Sequence, residues 1–382
     1  MVQDEFGEIH VRGDHGDIQY RINGISLPES LNGFAQEVDT HVIEGVTLLT
    51  GAMPAEFGDR TAGVIDITAK SGAELNGNEF QTYGGNYGTI HPTAVVGGTT
   101  SNLDYFVSAS YLRDNLGIDP TTPTTNPLHD LTDQGKLFGY FSHVFDPTSR
   151  VTLLVSGSLA GFEIPDTPGL TAPHILTNGP VPNSSIINEN QDEENSYAVL
   201  AYQKTEGRFS GQVALFSRYT DIHYMPDLAQ DLMFDGTAGN IINTDLANGV
   251  QLQTSYTLDA HHTLRAGLLG TYDIEKLDNS STVFPSTAQV SPSGIGVNSP
   301  TTVAPQASTT PETIVANSGA NGLTSGIYLQ DEWRLTGRLT VNYGVRYDRF
   351  DVTFDHEGQV SPRLNLVWQA TGTLTAHVGY AR

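Results

Sequence analysis

The sequence predicts an all-β fold: a transmembrane antiparallel β-barrel preceded by a small mixed α/β segment. Two observations carry this expectation. Apolar residues recur at every second position through most of residues 73–382, and the connections between those runs alternate between short turns and long loops. The placement of aromatic residues agrees with both.

A strand sends successive side chains to opposite faces, so a half-apolar strand reads as a period of two. The clearest case is 339–348, where Leu339, Val341, Tyr343, Val345 and Tyr347 alternate with Thr340, Asn342, Gly344, Arg346 and Asp348. Val250, Leu252, Thr254, Tyr256 and Leu258 alternate in the same way with Gln251, Gln253, Ser255 and Thr257. So do Leu264, Ala266, Leu268, Gly270 and Tyr272, and Val360, Pro362, Leu364, Leu366 and Trp368. Strands are predicted near 78–87, 90–99, 103–113, 135–145, 150–160, 195–205, 208–219, 247–258, 262–273, 323–335, 338–352, 358–370 and 373–382.

Every second connection is a short turn, at Asp146–Ser149, Glu206-Gly207, Asp259–His261, Thr336-Gly337 and Thr371-Gly372. The connections between are mostly long, near 114–134, 161–194, 220–246 and 274–322, and the stretch 279–322 is nearly low-complexity and expected to be mobile. Short turns on one rim and long loops on the other distinguish a membrane barrel from a soluble sandwich. Tyr111, Tyr219, Tyr272 and Tyr347 fall near the long-loop rim on the apolar face, and Phe209, Trp333 and Trp368 near the opposite rim. Two such belts are expected where amphipathic rings sit at headgroup depth.

Composition sets further bounds. The chain has 382 residues, a net charge of −25, 43 Asp plus Glu against 18 Lys plus Arg, and no Cys. That balance argues against a nucleic-acid partner and suits an acidic surface facing water or a cation-rich saccharide layer. Disulfides and thiolate metal sites are removed from consideration. No stretch approaches the ~18 consecutive apolar residues of a transmembrane helix. The N-terminus, MVQDEFGEIHVRGDHG, has neither the basic nor the apolar region of a signal peptide. A barrel escapes both tests, because its lipid-facing residues are only every other one.

Residues 1–72 lack this rhythm and read as a compact α/β element with short strands at 45–50 and 64–69. Here Val11-Arg12-Gly13, Ile22-Asn23-Gly24-Ile25, Ile43-Glu44-Gly45-Val46, Ala55-Glu56-Phe57-Gly58 and Gly63–Thr68 occur in order. The segment closely resembles the C-terminal half of the plug of TonB-dependent receptors. Tyr328–Trp333, Leu339–Asp348 and Ser361–Leu364 resemble mid-barrel strands of that family, and Asp104–Val107 an early one.

The resemblance implies a plug half over 1–72 and the N-terminal part of a barrel over 73–382, about thirteen strands of the roughly 22 in plugged transporters. It implies TonB-energised uptake of a scarce ligand across the bacterial outer membrane, with plug rearrangement opening the barrel. The partners it implies are a TonB-type energy-transducing protein that engages by strand addition, outer-membrane lipid, and a small-molecule or oligosaccharide ligand. The signal peptide, the TonB-contacting segment, the first half of the plug and about nine further strands are expected to lie outside this chain. As an open sheet with two unpaired edges it is expected not to insert or transport by itself.

Arg12, Glu56 and Arg60 in the plug, with Glu332 and Arg346 on inward barrel positions, are candidates for polar plug–barrel contacts. The alternative for each is a solvated lumen charge that never touches the plug. Gly58, Gly63 and Gly72 are expected at tight turns or positive φ. Neither Gly84–Gly88 nor Gly294–Gly296 sits between a strand and a helix, so neither reads as a nucleotide loop. Asp192–Glu194 and Asp227, Asp231 and Asp235 read as acidic loop positions, better explained as solvated faces than as a Ca²⁺ site. No His pair has ligand spacing, and no cofactor is implied.

There is no G-x-S-x-G, no Cys and no close carboxylate pair on an evident scaffold, so an enzyme is not expected. The long loops hold few cations, which tilts the cargo away from anionic chelates toward carbohydrate or other weakly charged ligands and leaves siderophore and cobalamin open. Phe162, Tyr224, Phe234 and Phe284 are the loop aromatics placed to stack on such a cargo. The rivals are a passive porin, which would not carry residues 1–72, and a surface β-protein used for adhesion, which would be freely soluble.

Overall fold

The computed structural model describes residues 2–3, 9–11, 18–28, 31, 33–35, 39–58, 62–75, 77–118, 121, 124, 127–177, 183–285 and 306–382. A short pair, β1 (Val2–Gln3) and β2 (Ile9–His10), precedes two sheets. The smaller sheet has the order β4 (Ile25–Ser26), β3 (Ile18–Ile22), β6 (Gly63–Ala69), β5 (Ile43–Leu49). Strands β3 and β4 are joined by Asn23 and Gly24 at φ 50° and 77°, the left-handed pair that a two-residue hairpin demands. Strand β6 lies in the middle, and Val64, Ile65 and Ile67 are buried on both of its faces.

The larger sheet begins after a single helical turn, α1 (Gly72–Leu75), and runs β7 (Gly77–Gly84), β8 (Ile90–Thr99), β9 (Leu103–Asp114), β10 (Thr132–Asp146) and β11 (Ser149–Ile164). It continues through β12 (Glu189–Glu206), β13 (Phe209–Met225), β14 (Thr237–Thr257) and β15 (His262–Val283). A short strand, β16 (Glu312–Val315), pairs only with β15, and the sheet resumes with β17 (Ser318–Thr336), β18 (Leu339–Val352), β19 (Asp355–Gln369) and β20 (Thr375–Ala381). From β7 to β20, β16 aside, each strand is antiparallel to the one before it. Among the described residues β7 and β20 each have one neighbour, so this is a partial barrel wall that does not close on itself.

Each predicted strand is present, and several run further toward the long-loop rim. Strand β14 begins at Thr237 rather than near 247, β15 ends at Val283 rather than near 273, and β12 begins at Glu189 rather than near 195. Asp192–Glu194 therefore stand in a strand, not a loop. The expected loop 220–246 also holds a helix, α2 (Leu228–Phe234), N-capped by the Asp227 side chain and followed by Gly236 at φ 75°. The stretch 279–322 contains the end of β15, all of β16 and the start of β17, which corrects its reading as one mobile loop; 286–305 lie outside the described residues. Among the described residues no helix is long and apolar enough to cross a membrane, which says nothing of a barrel.

The period-two reading fixes the faces. Tyr343, Val345 and Tyr347 of β18 are outward and exposed, while Arg346 between them is 3% exposed. Leu153, Leu159, Leu200, Val213, Leu215, Ile327 and Leu329 continue the exposed apolar face. Contiguous apolar exposure on this scale needs a nonaqueous neighbour. The inner face packs on the small sheet: Val11, Ile18, Ile22, Ile65 and Ile67 share one core with Phe106, Phe138, Leu154, Val199 and Phe216. Full burial of such a side chain stabilises by about 2 kcal/mol. The small sheet thus sits as a plug against the wall, sharing its apolar core mainly with β8–β13.

Candidate functional site

Beyond the shared apolar core, the plug is held to the wall by barrel side chains that grip its backbone. Gln251 on β14 accepts the Ser26 N–H at 2.9 Å and donates its Nε2–H to the Gly24 carbonyl at 3.0 Å, spanning the β3–β4 hairpin. Arg218 on β13 donates from Nη1 to the Pro28 carbonyl at 2.8 Å. Glu193 on β12 accepts the N–H groups of Phe34 and Ala35 at 2.7 and 2.9 Å and is itself oriented by Gln191 Nε2 at 2.8 Å. Gln330 on β17 accepts the Glu56 N–H at 3.0 Å.

One further contact joins side chains. Asp39 of the plug accepts from the Ser110 hydroxyl on β9 and from the His41 N–H. Burial works to raise the Asp39 pKa, but these hydrogen bonds outweigh it and hold the carboxyl below its usual range.

Of the predicted contacts, Arg12 and Arg60 lie outside the described residues. Glu56 and Arg346 both stand at the plug–wall boundary, where Glu56 is held through its backbone. Arg346 packs closely against Gly58 and pairs with Asp348 at 2.6 Å. Glu332 instead pairs along the wall with Arg265 at 3.3 Å and Arg334 at 3.5 Å. Gly58, Gly63 and Gly72 all have φ outside the left-handed region, correcting the expected turns. They are close-approach positions. A Cβ on Gly58 would fall 1.9 Å from Arg346 Nε, one on Gly63 3.2 Å from the Leu49 carbonyl oxygen, and one on Gly72 2.2 Å from that of Tyr105.

The loop aromatics divide. Phe162 is a strand residue, 2% exposed and edge-on to Phe34 of the plug, so it has no face to offer a cargo. Phe284 packs with Leu232 and Ala238 and lies against His174, again as core. Tyr224 and Phe234 keep partial exposure. Gln251, Gln330 and Glu193 were not singled out by the sequence; they occupy ordinary inward polar positions, and only the plug backbone opposite them makes them anchors.

At the long-loop rim, Asp231 of α2 is 3% exposed and faces Glu189 on β12 and Tyr224 on β13. Burial first, then Glu189 and Asp227, push the Asp231 carboxyl up to about 8, and burial likewise raises Glu189. Tyr224, half-buried beside Glu189, is raised as well. Among the described residues no group of His, Cys, Asp or Glu side chains is placed to hold a metal ion.

A plug anchored inside an antiparallel meander with loop lengths segregated by rim is a specific architecture, and the family model of the TonB dependent receptor-like β-barrel matches residues 139–382. The chain belongs to the TonB-dependent receptors. No curated protein matches it in sequence. Among solved structures it is similar to the siderophore receptor PiuA from Acinetobacter baumannii, with TM-score 0.67 and 14% identity over 98% of this chain and 58% of that one. It is also similar to the ferripyoverdine receptor of the Pseudomonas aeruginosa outer membrane, with TM-score 0.66 and 14% identity over 98% and 51%. The FrpB iron transporter from Neisseria meningitidis gives TM-score 0.65 and 14% identity over 96% and 56%. The chain therefore spans a little over half the length of these structures, and at this identity the likeness is one of fold.

Receptors of this family are proteins of the bacterial outer membrane, and α2 caps the long-loop rim. A carboxyl whose folded pKa is raised contributes stability that is full below its unfolded value near 3.8 and is lost as pH rises through about 8. Asp231→Asn keeps the shape without the titration. The variant is expected to gain on wild type in the hold of its cap between pH 6 and pH 9, by on the order of 2 kcal/mol. Limited proteolysis of the 226–236 connection at the two pH values measures this; a ratio of variant to wild-type cleavage that is the same at both pH values would refute it.

Proposed function

We propose that this chain is part of a TonB-energised receptor that takes up a scarce ligand across the outer membrane, with rearrangement of the plug opening the path. The single observation that supports the reading best is a lumen occupied by a hydrogen-bonded plug. Side chains from β12, β13, β14 and β17 hold that plug by its backbone. A passive porin has no use for such an obstruction, and an adhesin no use for a polar-gripped one. Contacts of this kind break one at a time and re-form, which suits a gate driven by an external pull.

The cargo we propose is weakly charged overall, such as a carbohydrate or a neutral chelate. The balance of 18 Lys plus Arg against 43 Asp plus Glu offers little to hold a polyanion. The neighbours named as siderophore receptors and iron transporters keep a ferric chelate within that class. The test is uptake by cells producing the complete receptor, with and without the energy-transducing partner. Uptake that depends on the partner is expected. Equal uptake in its absence would overturn the reading in favour of a pore.

A further inference from the structure

Above the plug, toward the long-loop rim, the inner wall is rich in acceptors and poor in donors. The plug-binding residues identify the inward parity of each strand: Arg218 on β13, Gln251 on β14, and Leu269, packed on the shared core, on β15. The same parity turns Thr220, Asn243, Asp245, Asp273, Glu275 and Asn279 inward. In register, Thr220 stands opposite Asp245, and Asp245 directly opposite Glu275; Asp273 is one inward position below, beside Ala247.

Like charges directly opposite on neighbouring strands destabilise a sheet unless something offsets them. The cation on the adjoining row, Arg218, acts on Asp245 but is bonded to the Pro28 carbonyl and sets one positive charge against three carboxylates. The next strand, β17, sets Ala320, Gly322 and Thr324 opposite this wall, adding no charge and little bulk. A second observation is independent of the charges. Thr220 is 3% exposed, and its buried hydroxyl oxygen has no hydrogen-bond partner; the buried side-chain oxygens of Asn243 and Asn279 have none either. Buried polar atoms without partners are costly; the two amide oxygens can only accept and the Thr220 hydroxyl can accept as well as donate, so one ligand that donates would satisfy all three.

We infer that this wall is a binding site for the protonated amino groups of the cargo. An ammonium offers three donors, no acceptor and the missing positive charge. A neutral hydroxylated ligand supplies donors but leaves the Asp245–Glu275 repulsion in place. The inference rests on the uptake reading and narrows its cargo to an amine-bearing saccharide or chelate.

The test is calorimetric titration of the complete, detergent-purified receptor with spermidine, alongside maltopentaose, citrate and Ca²⁺. This measurement needs no energy-transducing partner, so its outcome is separable from that of the uptake experiment. Spermidine is expected to bind, and the isosteric triple variant Asp245→Asn, Asp273→Asn, Glu275→Gln to bind it roughly tenfold more weakly or worse. Asp192→Asn with Glu194→Gln, on the outward face of β12, controls for general attraction to an acidic protein and should leave the affinity unchanged. Retained heat-modifiability shows that the variants fold. The proposal is overturned by equal spermidine binding to the triple variant, by an equal loss in the outer-face control, or by tighter binding of maltopentaose, citrate or Ca²⁺.

Discussion

Replacing Glu193 with alanine is expected to free the plug segment 33–35 from the wall. The carboxylate holds two backbone N–H groups at 2.7 and 2.9 Å, and a Cβ on Gly33 would lie only 2.4 Å from its Oε2, so the plug chain is pressed against it. Alanine removes two charge-assisted hydrogen bonds and strands the donors in a partly buried place. A net loss of about 3 kcal/mol corresponds to roughly a hundredfold faster amide exchange at Phe34 and Ala35. Glu193→Gln keeps a carbonyl acceptor and should give about a tenth of that acceleration. The Phe34–Phe162 edge contact remains in both variants and sets the residual protection. Unchanged exchange in the alanine variant would mean that the aromatic contact alone holds the segment.

The second large effect is expected at Gly58. Its Cα lies against the Arg346 guanidinium so closely that a Cβ would fall 1.9 Å from Nε and 2.6 Å from Cδ. Those are not the free end of a flexible chain: Arg346 is 3% exposed and tied to Asp348. Gly58→Val therefore forces the 51–58 loop off the wall, at about 3 kcal/mol, the upper part of the range for overpacking. Loss of the adjacent Glu56–Gln330 hydrogen bond should follow. Thermal unfolding of the complete receptor measures the cost, and the double variant with Arg346→Ala tests its origin. A clash with Arg346 predicts that the second substitution recovers much of the loss; additive losses would place the damage elsewhere.

How much of this was legible in the sequence follows from which solvent each residue meets. Where a strand separates lipid from lumen, as at 339–348, the two faces differ in polarity and the strand is plain. Strand β10 blurs: Leu137, Phe138, Tyr140 and Phe141 put apolar groups on both faces, because Phe138 and Tyr140 meet the plug rather than water. At 237–245 both faces of β14 mix polar residues with an isoleucine each, Ile241 and Ile242, so period two carries no signal there and the strand read as a loop. Helix α2 had a signature that could have been found: Asp227 as cap, Leu228 and Leu232 four apart, and Gly236 as stop. The anchors had none. Glu193 looked like one acid among three, and what it holds is the main chain of Phe34 and Ala35, which any residues there would supply equally well.

The order of the grips along the plug has a mechanical consequence. Reading up the chain, the hairpin at 24–26 is held by β14, Pro28 by β13, residues 34–35 by β12, and Asp39 by β9. Tension applied upstream of β3 would load these fastenings in series, each taking the strain only after its predecessor lets go. Such a seam peels at a force set by its weakest stitch and not by the sum, whereas the 56–58 loop, tethered to the far wall at β17 and β18, would stay behind as the hinge.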